Sequence, residues 1–79
     1  MRIAVAATSD FVDGPGEGSS VIIFETEPSP NIIEQYENPA LKASAAGGIW
    51  MIRSAMDRGV KALIVSEAGP PAFTFLEGV

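Results

Sequence analysis

Two short stretches of the chain are apolar with almost no interruption. Ile3-Ala4-Val5-Ala6-Ala7 follows Arg2 and opens into Thr8, and the stretch from Val60 to Val65 centres on Ala62-Leu63-Ile64-Val65. Apolar runs of this length, without alternation, predict strands buried on both faces. Between them, Val21-Ile22-Ile23-Phe24 predicts a second strand that runs out near Glu25 to Glu27. Pro28-Ser29-Pro30-Asn31 reads as a turn, and Ile32-Ile33-Glu34-Gln35-Tyr36 as a third strand paired back on the second as a hairpin. Glu34 and Gln35 place that strand toward the sheet edge. Ser9 to Ser20 is acidic and glycine-rich, which predicts a loop with no regular element.

From about Ala46 to Arg58 the period changes. Ile49, Ile52 and Met56 recur at helical spacing with Met51 and Ala55 in support, while Arg53 and Asp57 stand i,i+4 on the opposite side. Gly59 suits the C-terminal cap. Ala40 to Gly48 reads as a small-residue loop leading in. After the last strand, Ser66 to Gly69 predicts a loop, and Pro70 or Pro71 suits the first turn of a short helix with Ala72, Phe73 and Leu76 on its apolar side. Two apolar strands with a helix leading into one of them imply an α/β domain, residues 1–79, with a partly parallel sheet under helical cover.

Composition narrows the chemistry. Ten acidic residues against five basic ones give a net charge of −5, and the cations Arg2, Lys42, Arg53, Arg58 and Lys61 are scattered. Neither nucleic acid nor an anionic membrane finds a basic stripe here. The chain has no Cys and no His, which removes disulfides, thiolate ligands, cysteine nucleophiles and the usual neutral-pH acid/base. The longest uncharged run, Ala43 to Ile52, is ten residues. That is too short to span a bilayer, and no basic-then-apolar leader opens the chain, so a cytoplasmic location is expected.

Ligands of open α/β sheets bind beyond the carboxyl ends of the central strands. Thr8-Ser9-Asp10 after the first strand and Ser66-Glu67-Ala68-Gly69-Pro70 after the last would share one rim if those strands are parallel neighbours. The helix start at Gly47-Gly48 would add backbone N–H groups suited to an anion. The same residues also serve as ordinary turn and capping residues. Asp10, Asp13 and Glu17 are carboxylates of the kind that bind Mg²⁺ or Ca²⁺, without the spacing of an EF-hand loop. Gly14-Pro15-Gly16-Glu17-Gly18 lacks the Gly-Lys-Ser/Thr ending of a phosphate loop. No catalytic constellation is present. Trp50 falls near Arg53, Ser54 and Asp57, either as an aromatic that packs on a partner or lines a ligand site, or as a boundary residue over the sheet edge.

Several stretches resemble the dinitrogenase iron–molybdenum cofactor biosynthesis family, the nitrogenase accessory-factor-like domains. They are Met1-Arg2-Ile3-Ala4-Val5-Ala6, the strand exit Glu37-Asn38-Pro39, the entry to Gly47-Gly48, the helix end Arg58-Gly59-Val60, and Gly69-Pro70-Pro71-Ala72-Phe73 followed by Leu76-Glu77-Gly78-Val79. The resemblance spans the whole chain. It implies a three-layer α/β/α domain with a mixed, ribonuclease-H-like sheet and no enzymatic activity. It also implies non-covalent binding or carriage of an iron–molybdenum or other metal–sulfur cluster or its precursor. Carried residue by residue, the cofactor-facing positions are Thr8, Ser9, Gly47, Gly48, Ala68, Gly69 and Pro70.

The chain departs from the family in two places. A histidine-phenylalanine-glycine stretch common before the second strand is replaced by Gly16-Glu17-Gly18-Ser19-Ser20, so a cluster would be held by backbone N–H groups and shape. The sequence stops at Gly78-Val79, where the family runs on into a final strand and helix. Either a chain truncated at the C-terminus or an unpaired sheet edge is therefore expected, and a bare edge invites pairing with a second copy. The competing expectation is an interaction or assembly module that works through that edge and Trp50 without a cofactor.

Overall fold

The structure, a computed structural model, describes residues 1–66. Its sheet has five strands: β1 (Arg2–Thr8), β2 (Phe11–Val12), β3 (Ser20–Glu25), β4 (Asn31–Glu37) and β5 (Ala62–Ile64). One helix, α1 (Gly47–Met56), and a 3₁₀ turn at Pro39–Lys42 lie between β4 and β5. β1 is central. β3 pairs antiparallel along one edge of it from Arg2 to Ala7, and β4 pairs antiparallel with β3. The other edge of β1 is shared: β5 runs parallel beside Ile3–Val5, and β2 folds back antiparallel beside Ala7 and Thr8. The sheet is therefore mixed, as the two apolar runs imply.

Alternation along the strands sorts side chains onto two faces. Ala4 and Ala6 of β1 and Val21 and Ile23 of β3 point to one face, where Met51, Ile52 and Ala55 of α1 close over them, all essentially inaccessible to water. Burying each of the larger side chains contributes about 1.5–3 kcal/mol. Alanines on β1 leave room for the helix. The helix ends in a Schellman-type turn: the Gly59 N–H donates to Met56 O, the Val60 N–H to Ala55 O, and Gly59 takes the left-handed conformation (φ 76°).

Four expectations change. The Ser9–Ser20 stretch contains β2, because Ser9 adopts a left-handed φ of 53° and turns the chain tightly back on β1. The stretch after β4 begins with the 3₁₀ turn, nucleated by Asn38 and by Pro39 in its first turn. The buried stripe of α1 centres on Met51, Ile52 and Ala55, leaving Met56 exposed, and Arg53 makes no ion pair with Asp57 among the described residues. Finally, β1 is inaccessible to water on its α1 face, whereas on the other face Ala7 is buried but Ile3 and Val5 are half-buried. The expected final helix lies outside the described residues.

Candidate functional site

Asn38, completely buried, organises the loops at the start of α1. Its Nδ2 donates to the carbonyls of Pro15 (3.0 Å) and Gly18 (2.9 Å), and its Oδ1 accepts from the Ala40 N–H (3.0 Å). One amide thus ties the glycine-rich loop to the 3₁₀ turn. Close backbone approaches complete the join. A Cβ on Gly47 would stand 3.1 Å from both the Ala40 Cβ and its carbonyl oxygen, and one on Gly18 3.1 Å from the Ala7 nitrogen.

These contacts frame a cleft of about 320 Å³, whose walls include Pro15, Gly16, Glu17, Ser44, Gly47 and Gly48. Its volume falls at the lower end of small-ligand sites, roughly 300–1,000 Å³. The N-cap residue Ala46 is left-handed and offers no side chain to the first N–H groups of α1. The Ile49 N–H donates back to the Ala46 carbonyl (3.0 Å), and the Gly47 and Gly48 N–H groups stand at the positive end of the helix dipole. The lining is otherwise backbone and small side chains, with Glu17 as the one acidic group.

Thr8 and Ser9 lie elsewhere. The Thr8 hydroxyl donates to Asp13 Oδ2 (2.8 Å) and accepts from the Ser19 N–H (3.2 Å). The Asp13 carboxyl sits below the ordinary carboxylate range because of the Thr8 hydroxyl first and the Gly14 N–H second. Ser9 and Asp10 border a second, apolar cavity of about 560 Å³ on the sheet face opposite α1, floored by Ile3, Val5, Ile22 and Phe24. The structure therefore divides the single rim expected from the sequence. Gly47 and Gly48 share the helix-start cleft, Ser9 faces the apolar cavity, and Thr8 is tied to Asp13 and Ser19 of the β2–β3 loop. The cause is the tight turn after Thr8, which sends the chain along the edge of β1. Ala68, Gly69 and Pro70 lie outside the described residues.

Sequence reasoning missed Gly16, Ser44 and Asn38 as builders of the cleft. The available signal was the pair of small-residue loops on either side of an Asn-Pro step, since Asn is a preferred cap and Pro a preferred first-turn residue. Trp50 stands where the helical spacing placed it, 51% exposed beside Pro39, Arg53 and Asp57.

A metal–sulfur cargo meets no thiolate or imidazole on this chain. Among the described residues no group of three or more acidic side chains is placed to hold a metal ion. The helix-start cleft offers backbone N–H groups and small side chains beside Glu17.

The sequence model of the family described as dinitrogenase iron-molybdenum cofactor matches residues 1–79, the entire chain. The protein belongs to that family, and its context is the biosynthesis and handling of the iron–molybdenum cofactor. No curated protein matches the chain. Among the described residues, no helix is long and apolar enough to cross a membrane.

Proposed function

We propose that this chain is a non-enzymatic module that binds or carries a metal–sulfur cofactor of the iron–molybdenum type, or a precursor of it, without covalent ligation, in the cytoplasm. Family membership supplies the cargo class, and the uncapped start of α1 in a cleft of small residues is the observation that carries the reading. The cargo is anionic, and backbone N–H groups at a helix start bind anions. We read the domain as the three-layer, ribonuclease-H-like α/β/α form; the parallel β1–β5 pair with α1 between its strands supports this.

Anaerobic reconstitution with thiomolybdate and iron–sulfur donors, followed by desalting, metal analysis and a visible spectrum, tests the proposal. A stoichiometric coloured complex is expected. Ala45→Glu, at an exposed position lining the cleft, should lower retention several-fold while leaving the melting temperature unchanged. A metal-free, colourless protein would overturn the cofactor reading.

The second reading is an assembly module that pairs with a second copy or another protein, and exposed Trp50 favours it. The β4 edge is a poor place for strand pairing. Ile33 forms a bulge there, between Ile32 and Glu34, which pair with adjacent β3 residues, and Glu34 lies along the edge. Among the described residues β5 pairs on one side only, and its other side is the better edge. Sedimentation over a wide concentration range, with Trp50 fluorescence on dilution, would show self-association as a concentration-dependent mass.

A further inference from the structure

The outer side of α1 gathers three residues that helix stability alone does not account for. Trp50 is half exposed, and Arg53 and Asp57 are exposed beside it, in a groove of about 310 Å³ that Pro39 and Ser54 complete. An indole open to water is unfavourable in proportion to its apolar area. Asp57 is the C-cap of α1, at the negative end of the helix dipole, where a carboxylate is disfavoured. Arg53 stands four residues before Asp57, but a base ahead of its acid is the weaker order for an i,i+4 pair. Among the described residues neither forms an ion pair, whereas Arg2, Lys42 and Arg58 all do.

The pattern is self-complementary. Turned antiparallel about a two-fold axis, a second copy of the helix sets its Asp57 toward Arg53 and its Arg53 toward Asp57, so each contact occurs twice. Helix side chains lean toward their own N-terminus. That lean aims the long Arg53 side chain at the C-terminal end of the facing helix, where Asp57 stands. Trp50, one turn earlier, overlaps the same end. Trp and Arg are the residues that most often dominate interface energies. Two copies with a net charge of −5 each repel over most of their surface, and a face carrying one cation and one anion escapes that repulsion. A partner of a single sign would leave one of the two charges opposed.

We propose that the outer face of α1 is an isologous docking surface for a second copy of this chain, held by reciprocal Arg53–Asp57 pairs and by Trp50. One face of a ten-residue helix is small, so the association is weak, in the class of interfaces below about 1,200 Å². The inference rests on the assembly reading and stands apart from cofactor reconstitution.

The test is sedimentation of the full chain over a wide concentration range, with far-ultraviolet circular dichroism confirming that each variant keeps its helix. The mass should rise from monomer to dimer and stop there. Arg53→Asp and Asp57→Arg, each alone, should weaken association by about tenfold or more, because each sets like charges opposite one another. Mixed in equal amounts, the two variants should associate with each other as well as the original chain does with itself. The two substitutions move the net charge in opposite directions, so a general charge effect would strengthen association in one of them. Trp50→Ala should weaken association by about tenfold. A dimer that all three variants leave unchanged would overturn the proposal while keeping the assembly reading, with the β5 edge as its surface. A mixture no better than either variant alone would overturn the reciprocal pairing. A monomer at every concentration would overturn the docking surface and leave assembly to a different protein.

Discussion

The two faces of the sheet are built from the same strands by opposite rules. Beneath α1, β1 contributes alanines and β3 contributes Val21 and Ile23, and the small residues let the helix come close enough to exclude water completely. On the other face β1 contributes Ile3 and Val5, β3 contributes Ile22 and Phe24, and residues 1–66 leave them half-buried. Complete burial thus follows the helix and not side-chain size: Ile23 beneath α1 is inaccessible to water, whereas its neighbour Ile22 on the other face is half-buried.

Substituting neighbours on β3 measures the difference most directly. Ile23→Ala removes a fully buried side chain from the α1 face and should cost about 2–5 kcal/mol in urea denaturation. Ile22→Ala removes the same atoms from the other face. Because Ile22 is only half-buried, its loss should cost less than half as much as that of Ile23. Equal costs would end the distinction between the faces.

Asn38 tests how far the α1 face depends on its loops. Asn38→Ala leaves the carbonyls of Pro15 and Gly18 and the N–H of Ala40 without their partner in a site closed to water. The expected loss is about 2–4 kcal/mol, since each orphaned buried group costs roughly 1–3. Asn38→Asp keeps the acceptor for Ala40 but turns a carboxylate toward two carbonyls, so it should rescue little. Rescue to near the original stability would show that the Nδ2 bonds are dispensable.

Much of this architecture was legible in the residues. The β-branched run at Val21–Phe24, the Pro-rich turn, the edge character of Glu34 and Gln35 and the helix ending at Gly59 all express local preferences that packing reinforces. Three features depended on contacts distant in sequence. β2 exists because a left-handed Ser9 lets Phe11 and Val12 find the edge of β1, and nothing in an acidic, glycine-rich stretch announces that partner. The helix stripe rotated toward Met51 because the sheet, and not the spacing of Ile49, Ile52 and Met56, decides which side faces inward. The candidate site was half legible: Gly47 and Gly48 do line a cleft, whereas Ser9 lies on the other cavity because of that same turn.

A smaller effect is expected where β4 is fastened to the helix. Arg58 lies 3.9 Å over the Tyr36 ring, donates from Nε to Glu34 Oε1 (3.0 Å) and from Nη1 to the Ser54 carbonyl (2.8 Å). The Tyr36 hydroxyl is 2.8 Å from Ser54 Oγ, which itself donates to Met51 O. Glu34 holds the Arg58 guanidinium above its ordinary pKa. Both side chains are partly exposed, and Arg58→Ala should cost only about 0.5–1.5 kcal/mol, less at high salt. Arg58→Lys should recover little, because an ammonium cannot reproduce the planar stack and fork. Full recovery by Lys would reduce the interaction to charge alone.

The smallest effect is a pH dependence confined to the border of the second face. Asp13 is held below its ordinary pKa by the Thr8 hydroxyl and then by the Gly14 N–H, so the folded chain favours its ionised form. A depressed folded value stabilises the fold fully above the unfolded carboxylate pKa, about 3.9. That contribution fades as pH falls through the lower folded value. Asp13→Asn should remove it, so the gap between the two melting curves should narrow on acidification below about pH 4. Since Asp13 follows β2 and its carbonyl accepts the Ser66 N–H, amide exchange at Ser19 and Ser66 should accelerate before exchange in α1. Simultaneous loss of protection at both places would mean that the two faces open as one unit.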